Sequence, residues 1–397
     1  MNVLNKKKKL TVVGKGTAGC LSILHWYHFN GKEFDVELEW IHDSSIPSVP
    51  VGEGTDLRIP IQLGVKADFR TNDLLDIGGT PKLGIQKEGW GGSGSFLNPF
   101  PIGSQGIHMN AGRLQDWILN KLKDKLHIID TNITSPDDLD TDYVMMATGT
   151  PKEVPQQSND DFYISEYIPV NSAYVTQCDW PEGYPTFMYT LAIARPWGWV
   201  FGIPLQTRCA IGYIFNKDIT TLEQIKEDVQ EVFEKYNLTP TERTNHIVFK
   251  NYVRVKPIGE RVSYNGNSCF FFEPLEATSL SSAYIIDTLT WHRWFGGKSE
   301  QEVNSQWAYK MDQIETIISS HYMAGSIYKN EFWDMAQIKG EEKMKKMYKE
   351  PTLRNWIKSA TRDPKSVPKE SEFGTWDRGI WHINAHGLGI SDKLLKM

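Results

Sequence analysis

An α/β fold is predicted: a Rossmann-like dinucleotide-binding module that carries a β-rich insertion and is followed by a helical C-terminal part. Three observations predict it. A buried strand, Leu10-Thr11-Val12-Val13, runs into Gly14-Lys15-Gly16-Thr17-Ala18-Gly19 and then into an apolar helical stretch ending near Asn30-Gly31. Phe34, Val36, Leu38 and Trp40 then alternate with polar residues, the period of two that marks a half-buried strand. Late in the chain the apolar period lengthens, and Trp307, Met311, Ile314 and Ile318 fall at helical spacing.

Residues 10–43 therefore read as β-α-β. Gly14 allows the tight turn, Gly16 lets backbone approach a pyrophosphate, and Gly19 lets helix pack on strand. Thr17 and Ala18 open the helix, whose N–H groups and partial positive charge face the phosphates. Asp43, with His42 beside it, is the candidate acid for a ribose. Residues 44–110 show little periodicity and many glycines and prolines, so loops with short elements are expected. Lys82 lies among them, in the run GGTPKLGIQKEGWGG at 78–92, and is expected in a turn. Leu114–Leu126 reads as a helix and Tyr143–Ala147 as a strand. Residues 162–215 look β-rich, and a helix from Leu222 to Tyr236 follows the cap candidates Thr220 and Thr221. Strands return at 246–255 and 268–273, and from Thr278 the pattern is mainly helical, with a polar loop from Asp363 to Phe373. The expected division is 1–290, with the β-rich insertion at approximately 160–255, and 291–397.

The chain has 397 residues, 43 basic and 49 acidic, for a net charge of −6. At roughly 150 residues per domain, two or three domains are expected. Mild acidity argues against nucleic acid as a partner, because phosphate binding wants basic faces. The run Lys6–Lys9 reads as a solvated lead-in. No run of 18 apolar residues exists to cross a membrane, and LTVV is too short for a signal segment. Cys20, Cys178, Cys209 and Cys269 lie far apart without a CxxC, which fits a reducing, cytoplasmic compartment. No metal is expected: His382 and His386 have metal-pair spacing but lack the intervening glutamate, and Gly387 and Gly389 crowd them. The seven tryptophans between Trp291 and Trp381 read as core packing of the helical part before they read as a substrate surface.

Two further segments bear on which dinucleotide is bound. SVPVGEGT at 48–55, with Gly52 and Glu53, directly follows the second strand. The distal segment NGNSCFFFEPLE at 265–276, with Asn267 and Pro274, leads into a helix. Flavin enzymes with this two-part layout bring such a segment back to the flavin, where a helix N-terminus stabilises negative charge on the reduced ring. The arrangement favours FAD over NAD and makes the module one of the flavin monooxygenase type.

Six segments in order then carry a resemblance: GKGTAG at 14–19, IPSVPVGEGT at 46–55, PKLGI at 81–85, WGWVFGIP at 197–204, FFEPLEATSL at 271–280 and HYMAGSIYKNEFW at 321–333. Together they resemble the flavin-dependent halogenases of the tryptophan-halogenase type, and most of all a compact member such as those carried by marine cyanophages. The resemblance implies that reduced FAD and O2 convert a halide ion to hypohalous acid. That acid passes through an internal tunnel to a lysine, here Lys82. The lysine holds the halogen as a haloamine or by hydrogen bonding and presents it to an electron-rich aromatic small molecule. Glu276 matches the family's acid near that lysine, to orient it or to accept the ring proton. Thr278 and Ser279 fall where the halide meets backbone amides, and Arg113 matches an arginine near the cofactor. Trp197, Trp199, Phe201 and Ile203 alternate along a strand and are expected to share one face, walling flavin from substrate.

The chain departs from the family at several positions. Two extra residues follow the second tryptophan of WGWVFGIP, Ser279 stands for a glycine, Asn267 stands for an aspartate, and His42 falls where the ribose acid belongs. The change at Ser279 leaves the halide open, with bromide or iodide favoured over chloride because they oxidise more easily. With no second dinucleotide motif, reduced flavin is expected from a separate reductase. Two rival readings stay open: an aromatic hydroxylase on the same fold, and a non-catalytic flavin- or partner-binding protein. The sequence also leaves a homo-oligomer open.

Overall fold

The computed structural model describes residues 7–47, 52–92 and 94–397; Lys6 and positions 48–51 of the IPSVPVGEGT motif lie outside the described residues. Strand β1 (Lys9–Val13), helix α1 (Thr17–Phe29) and strand β2 (Glu37–His42) form the expected unit, with β1 and β2 parallel and Val12 opposite Trp40. The stretch expected to be loops is more regular than that. It contains β3 (Gly52–Gly54), α2 (Arg58–Ala67), α3 (Asp73–Asp76), β4 (Thr80–Lys82), β5 (Gly84–Glu88), β6 (Ser95–Pro99) and β7 (Gly106–Asn110). Strands of three residues are too short for a period of two to register. In α2 the punctuating Pro60 sits in the first turn, where no amide donor is needed, and Ile59 and Leu63 bury one face. Lys82 is therefore the last residue of a strand and not part of a turn.

Helix α4 (Ala111–Leu122) begins before the expected Leu114 because the Asn110 side chain caps it, accepting from the Arg113 N–H. Then come β8 (His127–Asp130), β9 (Tyr143–Met146), β10 (Phe162–Ile164), β11 (Ser172–Asp179), β12 (Thr190–Arg195), β13 (Gly198–Pro204) and β14 (Cys209–Phe215). Helix α5 (Leu222–Lys235) starts at a capping box formed by Thr221 and Gln224. Strands β15 (Thr239–Val248), β16 (Tyr252–Arg254), β17 (Val262–Tyr264) and β18 (Phe270–Phe271) precede the helices α6 (Thr278–Trp294), α7 (Glu300–Ala324), α8 (Glu331–Met347), α9 (Pro351–Arg362) and α10 (Arg378–Gly387). A boundary at residue 290 thus falls inside α6.

Three sheets position the site. The first is parallel, in the order β17-β9-β1-β2-β8, and α1, which packs on α4 and α6, crosses over from β1 to β2. The second has the order β15-β11-β14-β13-β12-β5-β6 and is antiparallel except between β12 and β5. It draws β5 and β6 from residues 84–99, so the β-rich unit is not confined to 160–255. The third is the small sheet β3-β7-β4. It pairs His108 with Gly54 on one side and with Thr80 on the other.

One apolar cluster runs from Leu10 in β1 to Leu394 near the C-terminus, and it takes in Trp294, Trp307, Trp333, Trp376 and Trp381. A second lies between the large sheet and α5, around Tyr213, Ile225, Val229 and Phe233. Trp199 and Phe201 join the first cluster, whereas Trp197 packs on the second. The shared face expected for these residues therefore does not reach Trp197, because β13 begins only at Gly198. The four cysteines are buried free thiols. Among the described residues no helix is long and apolar enough to cross a membrane.

Gly14 has a φ of +117°, and a Cβ there would stand 2.2 Å from the Ala147 carbonyl oxygen. Gly14→Ala should cost at least about 2 kcal/mol in urea unfolding, from strain plus overlap. Gly16→Ala, with nothing within 4 Å of the added carbon, should cost less than about 1 kcal/mol in the same measurement.

Candidate active site

The predicted halves of a dinucleotide site meet at the C-terminal edge of the parallel sheet. Gly16 caps α1 without a side-chain hydrogen bond, and the first turn carries no acidic residue, so the N-terminus of α1 suits an anion. Thr17 Oγ1 donates to Glu53 Oε1 at 3.4 Å. The other oxygen, Oε2, is buried with no partner among the described residues, and burial pushes the Glu53 carboxyl up to about 7. His42 Nδ1, at the end of β2, is likewise buried and unpartnered among the described residues. Asp43 lies just beyond that strand and is already engaged, accepting from the Ser45 N–H at 2.9 Å and Asn132 Nδ2 at 2.8 Å. The distal segment returns as expected. The Asn265 N–H donates to the Met146 carbonyl, its Nδ2 donates to Ser22 Oγ on α1 at 2.8 Å, and Ala18 lies against Gly266. Asn267 is exposed, and its carbonyl accepts from Tyr252 Oη. The Pro274 carbonyl takes the Ala277 N–H at 3.1 Å. Arg113 stands in the first turn of α4 beside Gly78, on a surface hollow of about 420 Å³ that it lines with Asp76, Asp116 and Trp117. Asp116 pairs with Lys15 at 3.1 Å, which ties that hollow to the glycine-rich loop. An open Gly16, an uncapped helix and an orphaned Glu53 oxygen fit FAD.

Strand β3 separates this cradle from the surroundings of Lys82, because successive strand residues face opposite ways. Glu53 points at α1, whereas a Cβ on Gly54 would stand 3.4 Å from Lys82 Nζ and 3.3 Å from Thr190 Oγ1. Glycine is what allows the amine this close to the backbone. Lys82 is 1% exposed, its ammonium 5.7 Å from the centre of the Phe100 ring. It has no hydrogen-bond or ion-pair partner among the described residues. Burial lowers its amine to about 8; Glu276 and Asp56 oppose that, and Lys87 adds to it. His108 lies beside it. Thr80 Oγ1 donates to the Pro204 carbonyl at 2.7 Å, so it accepts from His108 Nδ1 at 3.1 Å, and His108 Nε2 accepts from Thr190 Oγ1 at 2.9 Å. Burial and then Lys82 hold this imidazole well below its usual range, and it stays neutral.

Glu276 does not contact Lys82. Its Oε1 pairs with Lys87 Nζ at 2.5 Å and lies 3.2 Å from His321 Nε2, and its Oε2 accepts from Trp376 Nε1 at 3.2 Å. Lys87 Nζ also reaches His321 Nε2 at 2.7 Å and donates to Asn384 Oδ1. His321 Nδ1 meets the Ile317 carbonyl at 2.9 Å, which leaves Nε2 to accept. Burial pushes the Glu276 carboxyl up, but the Lys87 ammonium beside it outweighs that and holds the group ionised far below the carboxylate range. Glu276 and Ala277 both have left-handed backbones, at φ 70° and 52°. Each costs of order 1–2 kcal/mol outside glycine, and the buried ion pair helps to fix the geometry. Thr278 and Ser279 follow as the first residues of α6, whose N-terminus has neither a side-chain cap nor an acid in its first turn.

Sequence reasoning missed Lys87, His321, Asn384, His108 and Glu273. Glu273 accepts from Trp199 Nε1 at 2.9 Å and Tyr322 Oη at 2.8 Å, which joins the WGWVFGIP and FFEPLEATSL segments; burial pushes its carboxyl up to about 8. One signal was available: Lys87 occupies an inward position of β5, alternating with Ile85, where a lysine needs partners.

Comparison with known proteins bears on the family and the fold. The family model described as tryptophan halogenase matches residues 103–390. The 7-chloro-L-tryptophan 6-halogenase KtzR of Kutzneria sp. (strain 744) is 29% identical over 155 residues, covering 36% of this chain and 28% of that protein. The tryptophan 7-halogenase RebH of Lentzea aerocolonigenes is 28% identical over 243 residues, 57% of this chain and 44% of that protein. The matched stretch thus spans less than half the length of either curated relative. BrvH, a flavin-dependent halogenase from Brevundimonas sp. BAL3, has the same fold: TM-score 0.77 at 19% identity, over 97% of this chain and 90% of that one. Since the family model covers most of the sequence, from ahead of β7 to the end of α10, the chain belongs to the tryptophan halogenase family.

Proposed function

We propose that the protein is a flavin-dependent halogenase acting on an electron-rich aromatic small molecule, using a halide ion, O2 and reduced FAD delivered by a separate reductase. The observation that carries this reading is the Lys82 amine, buried, without an ion-pair partner among the described residues, and one strand away from the cofactor cradle. FAD, when bound, supplies with O2 the two-electron oxidation that turns a halide into hypohalous acid.

The chain's residues then divide the work. Gly14, Gly16, Thr17, Ala18 and Gly19 hold the pyrophosphate at the start of α1, with Asp43, Glu53, Arg113, Asn267 and Pro274 around the cofactor. The N–H groups in the first turn of α6, at Thr278 and Ser279, hold the halide. Neutral Lys82 attacks the hypohalous acid: a nitrogen–halogen bond forms, the oxygen–halogen bond breaks, and hydroxide leaves with an amine proton as water. The aromatic carbon then takes the halogen, its ring proton is lost, and the amine is restored. Glu276, ionised and paired with Lys87, bears on the Lys82 amine through its charge and not through a hydrogen bond.

Lys82→Ala should abolish ring halogenation of an activated phenol with bromide, while O2-dependent oxidation of bound reduced FAD continues. A wild-type product that gains one oxygen and no halogen would instead identify a hydroxylase. With equal bromide and chloride, the brominated product should predominate by mass spectrometry. Lys82 should also cost stability. Its pKa is about 8 folded and about 10.4 unfolded, so between these values the unfolded chain binds more protons and stability rises with pH. Lys82→Met should therefore stabilise the fold by about 2–3 kcal/mol at pH 7, a gain that fades as pH rises toward 10 in urea titrations.

A further inference from the structure

Two carboxylates bear on the Lys82 amine, and each is engaged by another cation. Glu276 pairs with Lys87 at 2.5 Å, and Asp56 Oδ2 pairs with Arg58 Nε at 3.0 Å while accepting from Ser281 Oγ. The remaining titratable neighbours bring no negative charge: His108 has both ring nitrogens engaged, and Lys87 is a cation. Lys87 is itself tethered, ion-paired with Glu276 and hydrogen-bonded to His321 and Asn384. It has no free lone pair to compete for an electrophile.

We infer that Lys87 and Arg58 are positioning residues that hold Glu276 and Asp56 away from Lys82, so that the Lys82 amine stays unpaired and nucleophilic. The inference rests on the halogenation reading for its purpose but not for its test. An amine accepts halogen only through its lone pair. An ion pair with either acid would keep it protonated; withdrawing both acids lets burial favour the neutral form. The arrangement also gives the two lysines different tasks, Lys82 as the reacting amine and Lys87 as the fixed counter-charge.

The test follows carbamylation of Lys82 by cyanate, which takes only the neutral amine, by peptide mass spectrometry on the full chain between pH 6.5 and 10. Lys87→Met removes a cation and frees Glu276, and both changes favour the ammonium. The Lys82 titration should move up by a unit or more, which lowers labelling at pH 7.5 about tenfold. Arg58→Gln, at a partly exposed residue, should shift it the same way by less, and it decides the matter if Lys87→Met does not fold. The acid limb of the halogenation pH profile should move with the labelling, and flavin oxidation should not. An unchanged Lys82 titration in the folded variants would overturn the inference. Shifted labelling without halogenated product from the wild type would leave the electrostatics standing and sink the functional reading.

Discussion

Burying an amine without a counter-charge is the constraint around which this molecule is organised. An ammonium so placed loses its hydration, and the ordinary remedy is a carboxylate at hydrogen-bond distance. Acids stand near Lys82, yet they are given to other partners: Glu276 to Lys87, Asp56 to Arg58. Lys82 is left among uncharged groups, the Phe100 ring, the Gly54 backbone, the Thr190 hydroxyl and the neutral His108 ring. The fold supplies the compensation elsewhere, through one large apolar cluster that joins the parallel sheet to the C-terminal helices.

The same constraint bears on the division between the cradle and the amine. A strand of three residues, β3, serves both sides, because neighbouring residues face opposite ways: Glu53 toward the dinucleotide cradle and Gly54 toward the amine. Its partner β7 contributes His108, locked neutral between two threonine hydroxyls. The C-terminal part packs against the Glu276–Lys87 pair. Trp376, His321 and Asn384 come from separate elements of that part, and all three meet at the Glu276–Lys87 pair. The helical part therefore supplies side chains to this pair, and α6 runs across residue 290.

Much of this was legible in the sequence, and the reasons are local. The β-α-β unit announces itself because a strand, a glycine turn and a helix each have a short-range signature, and the capping box at Thr221 does the same for α5. The region from 44 to 110 was not legible, because its strands are short and its helix α2 carries Pro60 and Gly64. The tryptophan strand was legible only from Gly198 onward, since the two-residue period needs a strand beneath it.

By itself the sequence determined the element types outside residues 44–110, the glycine-rich turn and the family resemblance, which marks Lys82 as the candidate amine, because each depends on neighbours within a few residues or on motifs in a fixed order. Only the tertiary structure decided who partners whom. The strand pairings that bring residue 87 to 276, 321 and 384, and the left-handed turn that aims Glu276 at Lys87 and away from Lys82, join residues hundreds of positions apart. Charge pairing among buried side chains is set by distance in space and by desolvation, and neither quantity exists in a linear chain.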